Sequence, residues 1–159
     1  MIDDIDRDLL MELQRDGRKN YTDLAKLLHV SETTVRNRMK RLLDKDIVRI
    51  TAIPSLETLG FNFMGIMGIQ VQLGYLSTVA KRLMEHPNVC YLAEVTGRYD
   101  LIALVIAKSA SEYSELVESL IAPLPSILRT ETSVSLHNYK GQIIGTDASH
   151  LISIPEVTS

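Results

Sequence analysis

The sequence predicts an α+β protein with two domains, a helix-turn-helix domain followed by a ferredoxin-like βαββαβ domain. Two observations favour this fold class. Residues 1–52 carry dense charge and apolar residues at helical spacing, whereas residues 61–140 alternate between strand and helix periodicity in the order βαββαβ. Residues 53–60, which contain Pro54 and Gly60, are predicted to be a linker, and residues 141–159 a C-terminal tail.

Composition excludes several classes of protein. The chain has 159 residues, of which 45% are hydrophobic and 23% charged, a balance typical of a protein with a buried core. The longest apolar run has seven residues, 101–107, far below the roughly 20 that span a bilayer. Cys90 is the single cysteine, so an intrachain disulfide is impossible. We therefore expect a cytoplasmic protein without a signal peptide or a membrane partner.

Three short helices are predicted in the first domain. The first carries an apolar stripe behind an acidic start that suits a helix N-terminus, and Asp16-Gly17 ends it. Its stripe consists of Ile5, Leu9, Leu10 and Leu13. Thr22 is predicted to cap the second helix and Ser31 the third. Residues 47–55 (IVRITAIPS) follow as a β-rich stretch.

The second and third helices fit a helix-turn-helix motif. Residues 1–25 have a net charge of −3, whereas residues 26–49 have a net charge of +4. Ala25 is small enough for two helices to cross closely, residues 29–31 form the turn, and Val35 anchors the third helix. A helical wheel gives the third helix a polar face, flanked by Arg36 and Arg38. That face comprises Thr33, Thr34, Asn37, Lys40 and Arg41.

Such a face suits the major groove of DNA, although most basic helix faces are merely solvated. Asn37 can pair bidentately with adenine, and Arg36 or Arg41 with guanine. Tyr21 and Ser31 complete the predicted DNA-binding set, with Arg18 and Lys19 as further candidate phosphate contacts.

The second domain is predicted to contain four strands and two helices. The strands are centred on residues 69–73, 89–95, 101–107 and 127–137, and residues 76–84 and 113–121 have helical spacing. The turn TGRYD, residues 96–100, joins the second and third strands. Both helices would cover one face of the antiparallel sheet, so we expect a partner chain on the other face.

The chain resembles the Lrp/AsnC, or feast/famine, family of transcriptional regulators. The resemblance lies in residues 5–48, in PSLETLGF at 54–61, in VTGRYDLIALV at 95–105 and in LRTETSVSLHNYK at 128–140. It implies a winged-helix-like DNA-binding domain, a β-linker, and a ferredoxin-like domain that dimerises through its sheet. It further implies dimers associating into an octamer or similar ring, and an amino acid or related metabolite as effector. A two-fold dimer would present its two recognition helices to a pseudo-palindromic operator. His29 occupies the turn position where the family usually has Gly.

The resemblance also implies an effector site between dimers, where the hairpin meets the fourth strand of a neighbouring subunit. Gly97 would let the backbone approach the ligand, Asp100 would accept from its ammonium group, and backbone N–H groups around Arg98 would hold its carboxylate. The remaining candidate residues of this site are Tyr99, Leu101, Thr130 and Thr132. Gly97 and Asp100 equally suit an ordinary tight turn, and threonine is common in strands.

No constellation for catalysis or metal binding stands out. The four histidines lack metal-ligand spacing, and no phosphate loop or nucleophile elbow is present, so we expect neither an enzyme nor a metal protein. Two other hypotheses remain open at this point. One is a metabolite-sensing regulatory subunit of an enzyme, and the other an architectural DNA-binding protein that has no effector.

Overall fold

The computed structural model describes residues 2–139, so the predicted tail lies outside the described residues. The chain divides between Ala52 and Ile53 into two compact units, which are described separately. Within residues 2–139, no helix combines the length and apolar character needed to cross a membrane.

The first unit contains three helices, α1 (Asp4–Arg15), α2 (Tyr21–Leu27) and α3 (Glu32–Asp44). Asp3 and Asp6 form a reciprocal capping box at the start of α1. The predicted Ser31 cap is confirmed, because its side chain accepts from the Thr34 N–H at 3.1 Å. The helices enclose one apolar core of Leu9, Leu24, Ala25, Val35, Met39 and Leu42.

Two local predictions for this unit are wrong. Asn20, not Thr22, caps α2, because its side-chain oxygen accepts from the Asp23 N–H at 2.8 Å. Residues 47–55 form no strand within the described chain. A strand requires a hydrogen-bonded neighbour, and here the N–H groups of Ile47 and Val48 donate to the Leu42 carbonyl at the end of α3 instead.

The second unit is an α+β fold with elements in the order βαββαβ. Its strands are β1 (Phe63–Val71), β2 (Val89–Glu94), β3 (Leu101–Ala107) and β4 (Ile127–Val134), and its helices are α4 (Leu76–Met84) and α5 (Ala110–Ile121). The strands lie in the order β2-β3-β1-β4, and all three pairings are antiparallel. This is the predicted ferredoxin-like arrangement. β1 begins at Phe63, six residues before the predicted Ile69, and β4 ends at Val134 rather than His137.

The two helices cover one face of the sheet. Val79 and Leu83 of α4 and Leu116 of α5 pack with Met67 and Val105 of the sheet in a single apolar core. Side chains alternate along a strand, so the residues between these core positions face away from the helices. This open face includes Ile66, 40% exposed, and Tyr91, 50% exposed.

Candidate nucleic-acid interface and ligand site

Helix α3 presents a polar stripe to solvent. The helix packs through Val35, Met39 and Leu42, which are almost fully buried. The residues on the opposite side are exposed and lie one turn apart or adjacent. They are Glu32, Thr33, Arg36, Asn37 and Lys40. Four of the five are predicted DNA-binding residues, and Glu32 is an addition that the sequence did not indicate.

The structure turns Arg41, predicted on the exposed face of α3, toward α1, and it engages Arg38 in ion pairs there as well. Arg38 Nη1 donates to both oxygens of Asp3, at 2.6 and 2.7 Å, and to Asp6 Oδ1 at 2.9 Å. Arg41 Nη2 donates to Asp6 Oδ2. Both guanidinium groups therefore turn toward α1, because a buried carboxylate there requires positive partners. The helical wheel for α3 alone could not show this attraction.

Asp3, Asp6, Arg38 and Arg41 form one charged cluster, the Asp6 cluster, which depends on the buried carboxylate of Asp6. Its side chain is fully buried. Burial raises the pKa of Asp6, but the Asp3 N–H and the two arginines outweigh it and lower that pKa below its ordinary value. The Arg38 guanidinium lowers the pKa of Asp3 to about 2. The cluster is therefore fully charged at neutral pH and fastens α3 to α1.

The N-terminal end of α3 is fixed by its cap and by the turn before it. The Thr34 hydroxyl lies 2.8 Å from the Ser31 hydroxyl, so both groups are engaged at the cap. His29 has φ of 53°, a left-handed conformation that histidine tolerates better than most residues. The turn thus keeps its shape without glycine.

The hairpin between β2 and β3 is bonded to the end of β1. Asp100 Oδ2 accepts from the Val71 N–H at 2.8 Å, and Gln70 Nε2 donates to the Arg98 carbonyl at 2.7 Å. Gly97 has φ of 112° and open space where a side chain would project. Asp100 is therefore partly committed to the turn itself, while its side chain remains exposed.

Tyr99 lies against Gly68 of β1. A Cβ atom at Gly68 would come within 2.6 Å of the Tyr99 ring, so the ring requires glycine beneath it. Glu131, which is opposite Gly68 in the register, pairs with Arg98 at 2.9 Å and with Arg129 at 3.3 Å. The hairpin thereby gains a charged cluster on the open face of the sheet, and Glu131 was not a predicted site residue.

The two predicted threonines lie on the other face of the sheet. Thr130 and Thr132 are opposite Ile69 and Met67 of the core, and the Thr132 hydroxyl lies 3.2 Å from the Tyr113 hydroxyl of α5. Within one chain they are therefore separated by the sheet from the Tyr99 ring. Leu101, the first residue of β3 after the hairpin, is buried in the apolar core.

A cleft of about 500 Å³ opens at the opposite end of the sheet from the hairpin. It is lined by the segment before β1, by Met64 and Ile106 of the sheet, and by the chain that follows β4. No sequence pattern indicated it, because its walls are far apart in the chain.

These features define a class of fold: a helix-turn-helix unit followed in the chain by a ferredoxin-like α+β unit. An AsnC-type helix-turn-helix domain matches residues 2–43, and an Lrp/AsnC ligand binding domain matches residues 64–143. The chain belongs to the Lrp/AsnC family of transcriptional regulators.

Individual relatives agree with this assignment. The HTH-type transcriptional regulator FL11 of Pyrococcus furiosus is 28% identical over 141 residues, covering 88% of this chain and 93% of its own. The structure of Escherichia coli AsnC is similar with a TM-score of 0.84 and 25% identity, over 89% of this chain and 97% of that one. A transcriptional regulator of Neisseria meningitidis, solved as an L-Met complex, has the same fold with a TM-score of 0.82 and 20% identity, over 89% and 94% of the chains.

Proposed function

We propose that this protein is a cytoplasmic, sequence-specific transcriptional regulator whose operator affinity or assembly responds to an amino acid or a related metabolite. The observation that carries the DNA-binding half is the exposed stripe on α3. Its amide, hydroxyl and cationic groups are those that read base edges and phosphates, and the Ser31 cap and the Asp6 cluster hold the helix in place.

Within this stripe we assign separate roles. Asn37 reads a base edge, with adenine as its natural partner. Lys40 neutralises a phosphate, because a flexible ammonium carries little base information. Arg38 and Arg41 act indirectly, since their guanidinium groups are engaged by Asp3 and Asp6.

The effector half rests on the hairpin of residues 96–100. Gly97 leaves open space, Asp100 is exposed, and Arg98 lies beside them. An amino acid would place its ammonium group near Asp100 and its carboxylate near the backbone N–H groups around Arg98. The L-Met complex of the Neisseria regulator makes an amino acid a reasonable class of ligand for the same fold. Under this proposal, Thr130 and Thr132 would reach the ligand from a neighbouring subunit.

The open face of the sheet supports a homodimer. Ile66 and Tyr91 are half exposed there, and a second copy related by a two-fold axis would bury them. Two copies would also present two α3 helices to a pseudo-palindromic operator. Further association to an octamer or similar ring is part of the proposal, and light scattering at micromolar concentration tests the assembly. A stable monomer would contradict it.

Gel-shift titration tests the DNA-binding half. A duplex selected from a randomised pool by the full-length protein is compared with its scrambled version, at several salt concentrations. Asn37→Ala should weaken binding to the selected duplex by about 1–3 kcal/mol and hardly change binding to the scrambled one. Lys40→Ala should weaken both alike and reduce the salt slope by about 1.

Lys81→Ala is the matched control, because Lys81 is an exposed lysine on α4 of the second unit. It should leave both affinities unchanged. Unaltered binding by both α3 variants would refute the assignment of α3 as the DNA-reading helix.

A thermal-shift screen against the amino acids tests the effector half, since a ligand of the native state raises the unfolding temperature. Asp100→Ala should lose the stabilisation by the amino acid that stabilises the wild type. Leu136→Ala, which changes an exposed residue of the cleft at the other end of the sheet, should retain it. The opposite pattern would move the ligand to the cleft.

A further inference from the structure

Glu32 joins the two helices of the helix-turn-helix at the exposed stripe. Its Oε2 accepts from the Thr22 hydroxyl of α2 at 2.9 Å, and its Oε1 accepts from Arg36 Nη2 at 2.8 Å. The Thr22 hydroxyl and the Arg36 guanidinium both lower the pKa of Glu32, so the carboxylate is charged at neutral pH. Glu32 therefore links α3 to α2 and also pairs with Arg36 within α3.

Arg36 has a second neighbour on α2. Its guanidinium carbon lies 5.3 Å from the centroid of the Tyr21 ring, within the range of a cation–π contact. The guanidinium is thus held at one edge by Glu32 and over one face by Tyr21. An exposed arginine ordinarily samples many rotamers, and these two contacts restrict that freedom before any ligand binds.

Arg36 also differs from the other two arginines of α3. Arg38 and Arg41 donate to Asp3 and Asp6, whereas Arg36 projects from the exposed stripe. A guanidinium has five N–H donors, and Glu32 engages a single nitrogen of it. The remaining donors keep the fork geometry that matches the O6 and N7 acceptors of guanine in the major groove.

We propose that Glu32 and Tyr21 are positioning residues that preorganise Arg36 to read a guanine, and that they thereby fix a preference for one G·C pair in each half-site. This inference rests on the proposed DNA-binding function and names the base that the stripe recognises. Glu32 has a second effect in this arrangement. Its negative charge at the start of α3 disfavours phosphate contacts by Arg36, so the arginine contributes to base reading more than to non-specific affinity.

The test is selection of binding sites from a randomised duplex pool, followed by affinity measurements on single-base variants of the preferred site. The full-length wild type is compared with Arg36→Ala, Glu32→Ala and Glu32→Gln. Arg36→Ala should reduce the preference for one G·C pair by roughly tenfold or more and leave the other positions selective.

Glu32→Ala should relax that same pair severalfold and raise affinity for scrambled duplex, because a charge that repels phosphates is removed. Glu32→Gln should show a preference for this pair between those of the wild type and Glu32→Ala, since its amide oxygen still accepts a hydrogen bond. Tyr21→Phe keeps the ring and should retain the preference, whereas Tyr21→Leu should weaken it. Circular dichroism of each variant shows whether the helices remain folded.

Several outcomes would overturn the inference. One is a Glu32→Ala profile identical to that of the wild type. Another is an equal loss at every position of the site, which would indicate a purely structural role. A third is an Arg36→Ala effect confined to an A·T pair. If the wild type enriches no sequence and binds no duplex, the proposed DNA-binding function fails as well, and that result is distinguishable because it does not depend on any variant.

Discussion

Replacing Asp6 by Asn should strongly destabilise the first unit. The fully buried carboxylate accepts from the Asp3 N–H at 3.1 Å, from Arg38 at 2.9 Å and from Arg41. An asparagine keeps one acceptor oxygen, and its NH₂ group replaces the other oxygen opposite groups that are themselves donors. At least one charge-assisted bond is lost and a donor faces a donor.

The magnitude follows from these contacts. Hydrogen bonds to charged groups contribute about 1.5–3 kcal/mol each. The side chains of Arg38 and Arg41 are 22% and 38% exposed, so water compensates in part, and Arg38 retains Asp3. We therefore expect a loss of about 2–3 kcal/mol in the free energy of unfolding, below the 3–5 kcal/mol typical of a fully buried broken pair.

The effect should depend on pH in a definite direction. The pKa of Asp6 is lower in the folded protein than its ordinary value. Its stabilisation is therefore fully present above the unfolded pKa of about 3.9 and is lost as the pH falls through the folded value. The difference between wild type and Asp6→Asn should be full at neutral pH and should narrow below about pH 4.

Urea unfolding followed by circular dichroism measures this difference, and amide hydrogen exchange along α3 separates the first unit from the second. Asp8→Asn is the control, because Asp8 is an exposed carboxylate on the same helix. It should change stability by less than about 0.5 kcal/mol. The reasoning would be refuted if Asp6→Asn behaved like Asp8→Asn, or if its deficit stayed constant down to acid pH.

Three further predictions concern other parts of the fold. Ser31→Ala removes the α3 cap and should lower the stability of the first unit by about 1 kcal/mol in urea unfolding, whereas Ser31→Asp should retain it. Gly68→Ala should cost about 1–3 kcal/mol in the second unit, since its Cβ meets the Tyr99 ring, and Tyr99→Ala in the same chain should recover part of the loss. Asp100→Ala should lower stability by about 1–2 kcal/mol without added ligand, because the Val71 N–H loses its acceptor; an unchanged thermal midpoint would contradict this.

Local signals in the sequence were sufficient for much of the fold. The Ser31 cap, the turn at His29 and the continuous apolar run of β3 depend on neighbouring residues, so they could be predicted from short stretches. The cap of α2 could not be placed correctly, because Asn20 and Thr22 are both good capping residues and the choice depends on where the chain leaves α1.

Long-range contacts account for what the sequence did not indicate. Asp6 is next to the apolar Ile5 in a run of acidic residues, and its burial follows from arginines 32 and 35 residues away. The start of β1 lacks an alternating pattern because it contains Gly65 and Gly68, whose lack of side chains accommodates the rings of Tyr113 and Tyr99. No short stretch of sequence records either relation.

In the candidate DNA-binding site, too, local features were predictable from the sequence and long-range contacts were not. Four of the five residues of the exposed stripe on α3 were predicted, since burial on a helix follows its period. The partners that give those residues their roles were not, because Thr22 and Tyr21 meet Glu32 and Arg36 only when α2 packs against α3.

The most direct test of the proposed function is the affinity for the selected duplex with and without the amino acid that best stabilises the native protein. If the ligand unit controls DNA binding, the affinity should change by about 5- to 150-fold at saturating amino acid, the usual range of coupling between two sites. Asp100→Ala should bind the same duplex but lose this response. An amino acid that stabilises the protein yet leaves duplex affinity unchanged would contradict an effector-responsive regulator.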